Sequence, residues 1–275
     1  MKTELKIKDH FLSKEDFIVS KCEDGVLKTS PDMNEKALFK YYDSDDYISH
    51  NNRGGGIAFF YKVFSKLMLR VKLRLIKGLI RKDSVIVDFG CGKGDFISHL
   101  VNHNYRALGV ENNKKAKEIC TKKNLEVFNS IEEISEKIAL VTFWHSFEHL
   151  SNPKRVLKKL FKITSGSSYV VLALPNYNSF DAKFYGAFWA AYDVPRHRFH
   201  YSKDGINKVM KAAGFKLVKT KPMLLDAFYI SMISEKYKNR KLFFLNGIII
   251  GFLSNLSGFI SGNFSSSIFV FKKTI

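Results

Sequence analysis

From residue 84 onward, short apolar runs alternate with stretches in which apolar residues recur at helical spacing. Apolar runs bounded by glycine, proline or polar turns are typical of strands buried on both faces. The pattern predicts seven strands, at residues 84–89, 105–111, 125–128, 137–143, 168–175, 215–221 and 266–273. It predicts intervening helices at residues 94–103, 112–123, 152–163 and 203–214. This alternation forms βαβ units, so the predicted fold class is α/β with a mostly parallel sheet.

Two of these helices carry sequence signals at their ends. Asn152 followed by Pro153 is a typical start, because asparagine caps free amide groups and proline suits the first helical position. Ser202 is the predicted N-cap of the helix at 203–214, and Gly214 marks its C-terminal end.

Three segments do not follow the alternation of strands and helices. Residues 1–56 are predicted to form an N-terminal extension that ends in a flexible joint at NNRGGG, so the main domain covers residues 57–275. Long insertions are predicted at residues 176–201 and 222–265. Because ligands bind at the carboxyl ends of parallel strands, we expect the functional residues in the loops after strands one, two, four and five.

The chain is strongly basic, with 45 lysine and arginine residues against 26 acidic residues and a formal net charge of +19. Such a balance fits a nucleic acid, an anionic membrane or an anionic substrate, although a lysine-rich composition alone gives the same charge. The cations are spread without an RNA-binding motif, so nucleic acid is not the expected partner; a basic nucleic-acid-binding protein is the non-enzyme alternative. Three scattered cysteines and no visible secretory signal predict a cytoplasmic location.

The first predicted strand runs into a glycine-rich loop with the pattern Asp88-x-Gly90-x-Gly92-x-Gly94. Glycines let a backbone turn sharply and approach a ligand closely. The spacing differs from the dinucleotide-binding pattern and lacks the lysine–hydroxyl pair of a phosphate-binding loop. Glu111 ends the second strand, where an acid commonly holds ribose hydroxyl groups. Together these features indicate a nucleoside that carries an amino-acid tail, S-adenosylmethionine (SAM).

The stretch FWHSFEHL at residues 143–150 contains the pattern H-x-x-E-H, formed by His145, Glu148 and His149. In metalloproteases this pattern lies on a long helix, where two imidazoles bind zinc and the carboxylate activates water. Here the three residues leave the end of the fourth predicted strand. The context that the protease interpretation requires is therefore missing.

These motifs resemble those of class I SAM-dependent methyltransferases. DFGCGKGDF (88–96) and GVENN (109–113) resemble the first two motifs of that family. FWHSFEHL resembles the E-x-x-E-H sequence of ubiquinone-biosynthesis O-methyltransferases, and residues 174–202 resemble a loop of bacterial methyltransferases associated with surface polysaccharides. The resemblance implies a Rossmann-like, seven-stranded, mostly parallel sheet with helices on both faces and an antiparallel last strand.

The resemblance also implies SAM as the cofactor and indicates which residues bind it. They are expected in the glycine loop, after the second strand and after the fourth strand: Asp88, Gly90, Cys91, Gly92, Gly94, Glu111, Asn112, Trp144 and His145. Because the donor is already activated, the protein mainly supplies alignment and a cavity poor in water.

The residues after the fourth strand are expected to face the methyl acceptor. An imidazole with a pKa near neutrality can take the proton of an acceptor hydroxyl, and His149 is the first candidate for this base. Glu148, His145 and His197 are further catalytic candidates. We expect no metal, although the E-x-x-E-H residues of ubiquinone-type relatives can hold a divalent ion, which is one alternative. A purely structural role for His149 is the other.

The insertion after the fifth strand concentrates charged and aromatic residues in WAAYDVPRHRFHY (189–201). Such residues are costly to bury without partners, so we expect this loop to recognise an anionic or polyhydroxylated acceptor. The candidate acceptor-binding residues are Trp189, Tyr192, Asp193, Arg196, His197 and His200. The alternative is a structural loop stabilised by its own salt bridges.

Two apolar stretches suggest contact with a membrane. Residues 57–80 are predicted to form a helix that packs on the sheet or docks on a lipid surface. Residues 242–260 are long enough to span a bilayer, but interrupting polar residues and a position between two predicted strands favour a buried or interfacial helix. Any membrane contact is therefore expected to be peripheral, at the inner face.

The combined prediction is a cytoplasmic bacterial methyltransferase that uses SAM and a small-molecule or glycan acceptor. The expected reaction is O-methylation of a sugar in a surface glycan or in its lipid-linked precursor. O-methylation of a quinone-like or other small aromatic acceptor is the enzymatic alternative.

Overall fold

The computed structural model describes residues 4–42 and 56–274, with the backbone alone at residues 56–64 and 66. The strands within these residues are β1 (Glu4–Lys8), β2 (Asp16–Lys21), β3 (Leu27–Ser30), β4 (Val85–Phe89), β5 (Arg106–Val110), β6 (Val127–Phe128), β7 (Ile138–Trp144), β8 (Thr164–Pro175), β9 (Phe199–His200), β10 (Phe215–Pro222) and β11 (Ser266–Lys273). The helices are α1 (Glu35–Phe39), α2 (Gly56–Lys77), α3 (Asp95–Val101), α4 (Lys114–Lys122), α5 (Pro153–Ile163), α6 (Phe180–Tyr185), α7 (Lys203–Ala212), α8 (Leu224–Tyr237) and α9 (Phe243–Ser261). Apart from Gly56, the predicted joint at residues 51–56 lies outside the described residues.

Seven strands form one sheet in the order β10-β11-β8-β7-β4-β5-β6. Strand β4 is parallel to both of its neighbours, with Asp88 opposite Gly109 of β5 and Thr142 of β7. The sheet is otherwise mostly parallel, and its last strand, β11, is antiparallel. The predicted Rossmann-like α/β fold is therefore confirmed. All seven predicted strands are present, although β8 begins at Thr164 rather than at residue 168.

The predicted helix ends are also confirmed. Asn152 Oδ1 accepts a hydrogen bond of 2.9 Å from the backbone N–H of Arg155, so it caps α5, which begins at Pro153. Ser202 Oγ accepts a bond of 3.0 Å from the N–H of Gly205 and caps α7. Beyond the other end of α7, Gly214 has a φ of 86°, a conformation that favours glycine.

A second sheet, which the sequence analysis did not predict, contains four antiparallel strands in the order β1-β2-β3-β9. Leu27 of β3 pairs with His200 of β9, and the N–H of Thr29 donates to the carbonyl of Arg198 at 2.9 Å. Strand β9 belongs to the predicted insertion at 176–201. The N-terminal segment and this insertion therefore share one sheet.

The chain divides into two compact units, each assembled from separate segments. The first unit contains Met1–Tyr42, His145–Lys158 and Leu172–Phe271. The second contains Asp43–Trp144, Lys159–Val171 and Lys272–Ile275. The domain boundary at residues 56 and 57 stays a prediction.

A buried ion cluster lies in the first unit. Arg196 is 1% exposed, and its guanidinium donates to Asp9 Oδ1 at 2.9 Å and to Asp193 Oδ1 at 2.7 Å. It also donates to the carbonyl of Tyr41 at 3.3 Å. Burial acts to raise the pKa of Asp9, but the hydrogen bond and the charge of Arg196 lower it below its ordinary value. Asp9 and Asp193 are far apart in the sequence, so this cluster joins the N-terminal strands to the loop that follows Trp189.

The insertion at 222–265 forms α8 and α9, which pack closely on each other. A Cβ at Gly247 would lie 2.5 Å from Cγ of Met232, and one at Gly251 would lie 2.7 Å from Cα of Phe228. Glycine therefore allows the two helices to approach at these positions. Asn255 donates to the carbonyl of Leu224 at 2.8 Å, so a polar residue of α9 also faces α8.

The buried ion cluster gives a prediction about stability. Arg196→Ala leaves Asp9 and Asp193 without their cation, and removing one partner of a buried ion pair typically costs about 3–5 kcal/mol. We expect the free energy of unfolding, measured in urea, to fall by this amount. The matched control is Arg81→Ala, since the pair between Arg81 and Asp83 is exposed and such pairs contribute little. Equal stability of the two variants would contradict the structural importance of the cluster.

Candidate active site

In the second unit, strand β4 leads into the glycine loop, which is tied to the end of β5. Glu111 accepts a hydrogen bond of 2.8 Å from the N–H of Gly92 through Oε2. Its other oxygen, Oε1, accepts one of 2.8 Å from the N–H of Asn113, at the start of α4. The carboxylate that the sequence predicts to hold ribose hydroxyls therefore orients the loop beside it.

Two glycines of the loop are needed for different reasons. Gly94 has a φ of 73°, and a Cβ there would lie 2.5 Å from Cδ1 of Leu125 and 2.9 Å from Sγ of Cys120. Gly92 has a φ of 54°, but a Cβ there would meet nothing within 4 Å. Gly94 therefore allows close packing, whereas the space beside Gly92 is open to a ligand. Gly90 also has a positive φ, of 71°.

Asp88 is the one charged residue of β4 and is only 4% exposed. Burial raises its pKa to about 6, even though the hydroxyl of Thr142 donates a hydrogen bond of 2.6 Å to Oδ1. A buried carboxyl group with a raised pKa next to an open loop is typical of a functional site. This geometry agrees with a role for Asp88 towards a cationic group of the donor.

The other predicted SAM-binding residues of this unit differ in their surroundings. Cys91 is buried, with Sγ 2.6 Å from the position that a Cβ of Gly109 would occupy, so its side chain packs behind the loop. Burial raises the pKa of its thiol. Asn112 is exposed. Trp144 has a buried indole Nε1 without a hydrogen-bond partner, and the Lys72 ammonium lies 4.4 Å from the centroid of its ring.

In the first unit, His145 follows β7 with a φ of 54°. Its Nε2 lies 3.3 Å from Oδ2 of Asp226, and its Nδ1 lies 3.6 Å from Oε1 of Glu148. Burial opposes protonation of this ring, but the two carboxylates outweigh burial and raise the pKa of His145 to about 10. His145 is therefore cationic at neutral pH. The geometry favours an electrostatic role for it over that of a base.

Glu148 is 1% exposed, and neither of its carboxylate oxygens has a hydrogen-bond partner. Its nearest cationic neighbour is His145, whose Nδ1 at 3.6 Å is beyond ordinary hydrogen-bond length. Burial acts to raise the pKa of Glu148, but the imidazoles of His145, His197 and His149 hold it well below the ordinary value. The site therefore contains a buried carboxylate anion whose oxygens accept no hydrogen bond from the described residues.

His149 lies beside this carboxylate in a short helical turn. Its Nδ1 is 2.9 Å from the carbonyl oxygen of Arg196 and 3.0 Å from the hydroxyl of Tyr42. Because a carbonyl oxygen can only accept, Nδ1 carries the proton and Nε2 has a free lone pair. A neutral imidazole of this tautomer can accept a proton at Nε2, and the role of His149 as the base stays a prediction.

His197 completes the cluster from the loop after β8. Its Nδ1 lies 2.9 Å from the carbonyl of Ala191, and its Nε2 lies 3.9 Å from Oε1 of Glu148. Its ring is 4.7 Å from that of His149, edge to face. Burial, together with the nearby His149, lowers the pKa of His197 to about 4. A small cavity next to the cluster is lined by residues that include Glu148, Tyr177, Trp189, His197 and Phe199.

The remaining predicted acceptor-binding residues have structural partners. Trp189 is 2% exposed, and its Nε1 donates to Asp181 at 2.7 Å, while Tyr192 packs against it in the core. His200 Nε2 lies 2.9 Å from the hydroxyl of Thr29. Burial lowers the pKa of His200 to about 3. For these residues, and for Arg196 with Asp193, the geometry favours the alternative of a structural loop; their roles towards an acceptor stay predictions.

The structure also places residues in the site that the sequence analysis did not select. Asp226 belongs to the predicted insertion at 222–265, and Tyr42 belongs to the predicted N-terminal extension. Neither residue lies in a motif, and Tyr42 is 107 positions from His149. Only the fold brings them to the histidines, so no local signal identified them.

Comparison with known proteins identifies the family and the fold of the chain. The model of a methyltransferase domain family matches residues 59–220. No curated protein matches the chain by sequence. Magnesium protoporphyrin IX methyltransferase from Synechocystis PCC 6803, solved with bound SAH, is 11% identical with a TM-score of 0.58, over 88% of this chain and 100% of that chain.

Two further solved structures have the same fold. The cyclopropane synthase MmaA2 from Mycobacterium tuberculosis is 13% identical with a TM-score of 0.54, over 85% of this chain and 95% of that chain. A SAM-dependent methyltransferase from Archaeoglobus fulgidus is 20% identical with a TM-score of 0.51, over 78% of this chain and 100% of that chain. Likeness at this level of identity is evidence for the fold, and the family match covers more than half of the chain. The chain therefore belongs to the methyltransferase domain family and is a class I methyltransferase that uses SAM as its cofactor.

Proposed function

We propose that this methyltransferase transfers the methyl group of SAM to a hydroxyl oxygen of a saccharide linked to a membrane lipid, at the cytoplasmic surface of the membrane. In this proposal, the open space beside Gly92 receives the amino-acid end of the donor, and Asp88 attracts its ammonium group. Glu111, which already orients the loop, offers its carboxylate to the ribose. The surroundings of these three residues support the assignment.

His149 is the proposed base of the reaction. The sulfonium group of SAM needs no activation, so the chemical task is to remove the acceptor proton and to align the oxygen with the methyl carbon. The bond from Nδ1 to the carbonyl of Arg196 fixes the ring and leaves Nε2 to accept that proton. Glu148 lies close enough to stabilise the imidazolium that forms.

The main support for a lipid-linked acceptor is the exposed face of α9. Apart from Ile250, the buried residues of this helix are small or polar. Large apolar side chains are exposed: Phe244, Leu245, Ile248, Ile249, Phe252, Leu253, Leu256, Phe259 and Ile260. In the described part of the chain, α9 is the one helix that is long and apolar enough to cross a bilayer. Its most apolar stretch of 18 residues has a mean hydropathy of 1.7, and 28% of that stretch is buried. Amphipathic helices of soluble proteins normally bury such a face, so this arrangement supports contact with lipid.

Cations lie at the N-terminal end of this exposed face. The end of α8 and the turn before α9 contain Lys236, Lys238, Arg240 and Lys241, and α9 itself has no acidic residue. Each cation near an anionic leaflet contributes about 1 kcal/mol of attraction. The close packing of α9 on α8 supports a helix that lies in the lipid interface over one that crosses the bilayer.

An enzyme held at a membrane can act on acceptors that do not leave it. A lipid-linked saccharide is such an acceptor, and it presents hydroxyl groups in the aqueous layer where the histidines can reach them. The resemblance of residues 174–202 to a loop of polysaccharide-associated methyltransferases supports this acceptor class. A quinone-like ring with a lipid tail is the competing acceptor, and the first experiment below separates the two.

The acceptor class can be tested with SAM labelled in its methyl group. We expect incubation of the protein with bacterial membranes to place label in the lipid extract, and mild acid to release that label as a water-soluble saccharide. Label that stays with the apolar lipid after acid would instead identify the quinone-like acceptor. Label found only in small molecules of the soluble fraction would overturn the lipid-linked proposal.

Membrane contact is testable by co-sedimentation with liposomes that contain anionic lipid. Phe252→Ser combined with Leu256→Ser removes two large side chains from the exposed face, each worth about 1.5–3 kcal/mol when buried, so binding should fall by more than about tenfold. Val218→Ser, an equally exposed apolar residue on β10, is the control and should bind normally. Binding of the native chain should also weaken with salt, because the attraction of the cations is screened. Equal binding by both variants would remove the support for α9 as the lipid-binding face.

Donor binding should depend on pH through Asp88. Because the pKa of the buried carboxyl is about 6, it takes up a proton as the pH falls from 7 to 5 and no longer attracts an ammonium group. We expect the affinity for the demethylated product of SAM, measured by calorimetry, to fall about tenfold over this range. Asp88→Asn cannot titrate, so it should bind more weakly and without this pH dependence. The same pH dependence in Asp88→Asn would show that another group is responsible.

A further inference from the structure

Three side chains with metal-binding atoms meet in the first unit. The ligand atoms of Glu148, His149 and His197 all lie within 4.8 Å of one another. Among the described residues, this is the one group of three or more potential metal ligands at such distances. Glu148 and His149 belong to the turn after β7, whereas His197 comes from the loop after β8. The N–H of Arg198 donates to the carbonyl of Glu148 at 2.9 Å, so a backbone bond holds the two segments together.

Both imidazoles are oriented in the way that metal-binding histidines usually are. Nδ1 of His149 lies 2.9 Å from the carbonyl of Arg196, and Nδ1 of His197 lies 2.9 Å from the carbonyl of Ala191. Each carbonyl accepts a hydrogen bond from the Nδ1–H, so in the neutral ring each Nε2 carries a free lone pair. A hydrogen bond from the distal nitrogen to a backbone carbonyl is the typical outer support of a metal ligand.

Glu148 supplies the independent observation. Its side chain is almost completely buried, and neither of its oxygens accepts a hydrogen bond. Burying a carboxylate that has no hydrogen-bond partner costs free energy, and a bound ligand would offset that cost. His145 is an ion-pair neighbour of Glu148, but its Nδ1 at 3.6 Å is beyond ordinary hydrogen-bond length, and its Nε2 lies 3.3 Å from Asp226.

We propose that Glu148 and the Nε2 atoms of His149 and His197 form a binding site for one divalent transition-metal ion. Two imidazoles and one carboxylate favour a transition metal over magnesium or calcium, which prefer oxygen ligands. Nε2 of His197 lies 3.9 Å from Oε1 of Glu148. Bonds to zinc of about 2.0–2.2 Å place two ligand atoms about 3.4 Å apart, so the cluster closes by small side-chain movements.

This ligand set differs from the one that the H-x-x-E-H pattern suggests. His145 is engaged with Asp226 and is replaced by His197, a residue of the loop. Three protein ligands leave coordination positions open, and a metal there would lower the pKa of a bound hydroxyl group. That role towards the acceptor rests on the proposed function. With the ion bound, the metal rather than Nε2 of His149 would activate the acceptor hydroxyl. Binding of the ion itself does not depend on the proposed function.

The site is tested by titrating the chelator-treated full chain with Zn²⁺ in a calorimeter, without donor or acceptor. We expect one ion per chain and a rise in Tm on binding, since a ligand that binds only the folded state stabilises it. Failure of the proposed acceptor would leave this measurement unchanged, so the two proposals are tested separately.

The informative variants are His149→Asn and His197→Asn. The asparagine amide can still donate to the carbonyl of Arg196 or Ala191, but it lacks the atom equivalent to Nε2. Each variant, and Glu148→Gln, should fold with a Tm close to that of the metal-free native chain. Each should bind Zn²⁺ at least about tenfold more weakly and lose the rise in Tm.

Two controls distinguish this site from other histidines. His103→Ala removes an exposed imidazole and should not change binding, and His145→Gln should not weaken it. A loss of binding in His145→Gln but not in His197→Asn would overturn the proposed ligand set in favour of the H-x-x-E-H residues. Native affinity in all three ligand variants, or the absence of a saturable site in the native chain, would overturn the metal site altogether.

Discussion

The arrangement of the first unit depends on the buried guanidinium of Arg196. Its side chain neutralises Asp9 of the N-terminal segment and Asp193 of the loop after β8. Its carbonyl accepts the hydrogen bond that orients His149, and the next residue in the chain is His197. One residue thus joins three parts of the chain and places both imidazoles. Because a buried charge without its partner is strongly destabilising, these segments must come together for any of them to be stable.

This dependence explains how a loop rich in charges can be buried. The charged and aromatic residues of the loop satisfy one another or the N-terminal sheet, as His200 does with Thr29. The protein supplies these partners, so burial of the loop does not by itself require a ligand. Glu148 is the exception, since its carboxylate is buried among imidazoles without a hydrogen bond. The unsatisfied group, rather than the most highly charged stretch, is therefore the position at which we propose that a ligand binds.

The sequence predicts the seven-stranded sheet well because its signals are local. Buried parallel strands are continuous apolar runs, and the helix ends at Asn152 and Ser202 depend on residues within one turn. The second sheet was missed because β9 is very short and pairs with β3, far away in the sequence. The same limit applies to the site. FWHSFEHL indicates a candidate site, but the partners Tyr42 and Asp226 become its neighbours only through tertiary structure, which no spacing rule encodes.

Helix α9 shows how composition and periodicity can lead to different interpretations of one segment. Its glycines, Ser254 and Asn255 interrupt the apolar stretch in the sequence, which argued against a membrane span. In the structure these residues recur at helical spacing and form the face that packs on α8 and on Asp181. Because these residues lie on the packed face, the exposed face is more uniformly apolar than the average composition of the helix suggests. The polar interruptions therefore attach the helix to the protein and leave the apolar face available to a membrane, so attachment and lipid contact are compatible in a single helix.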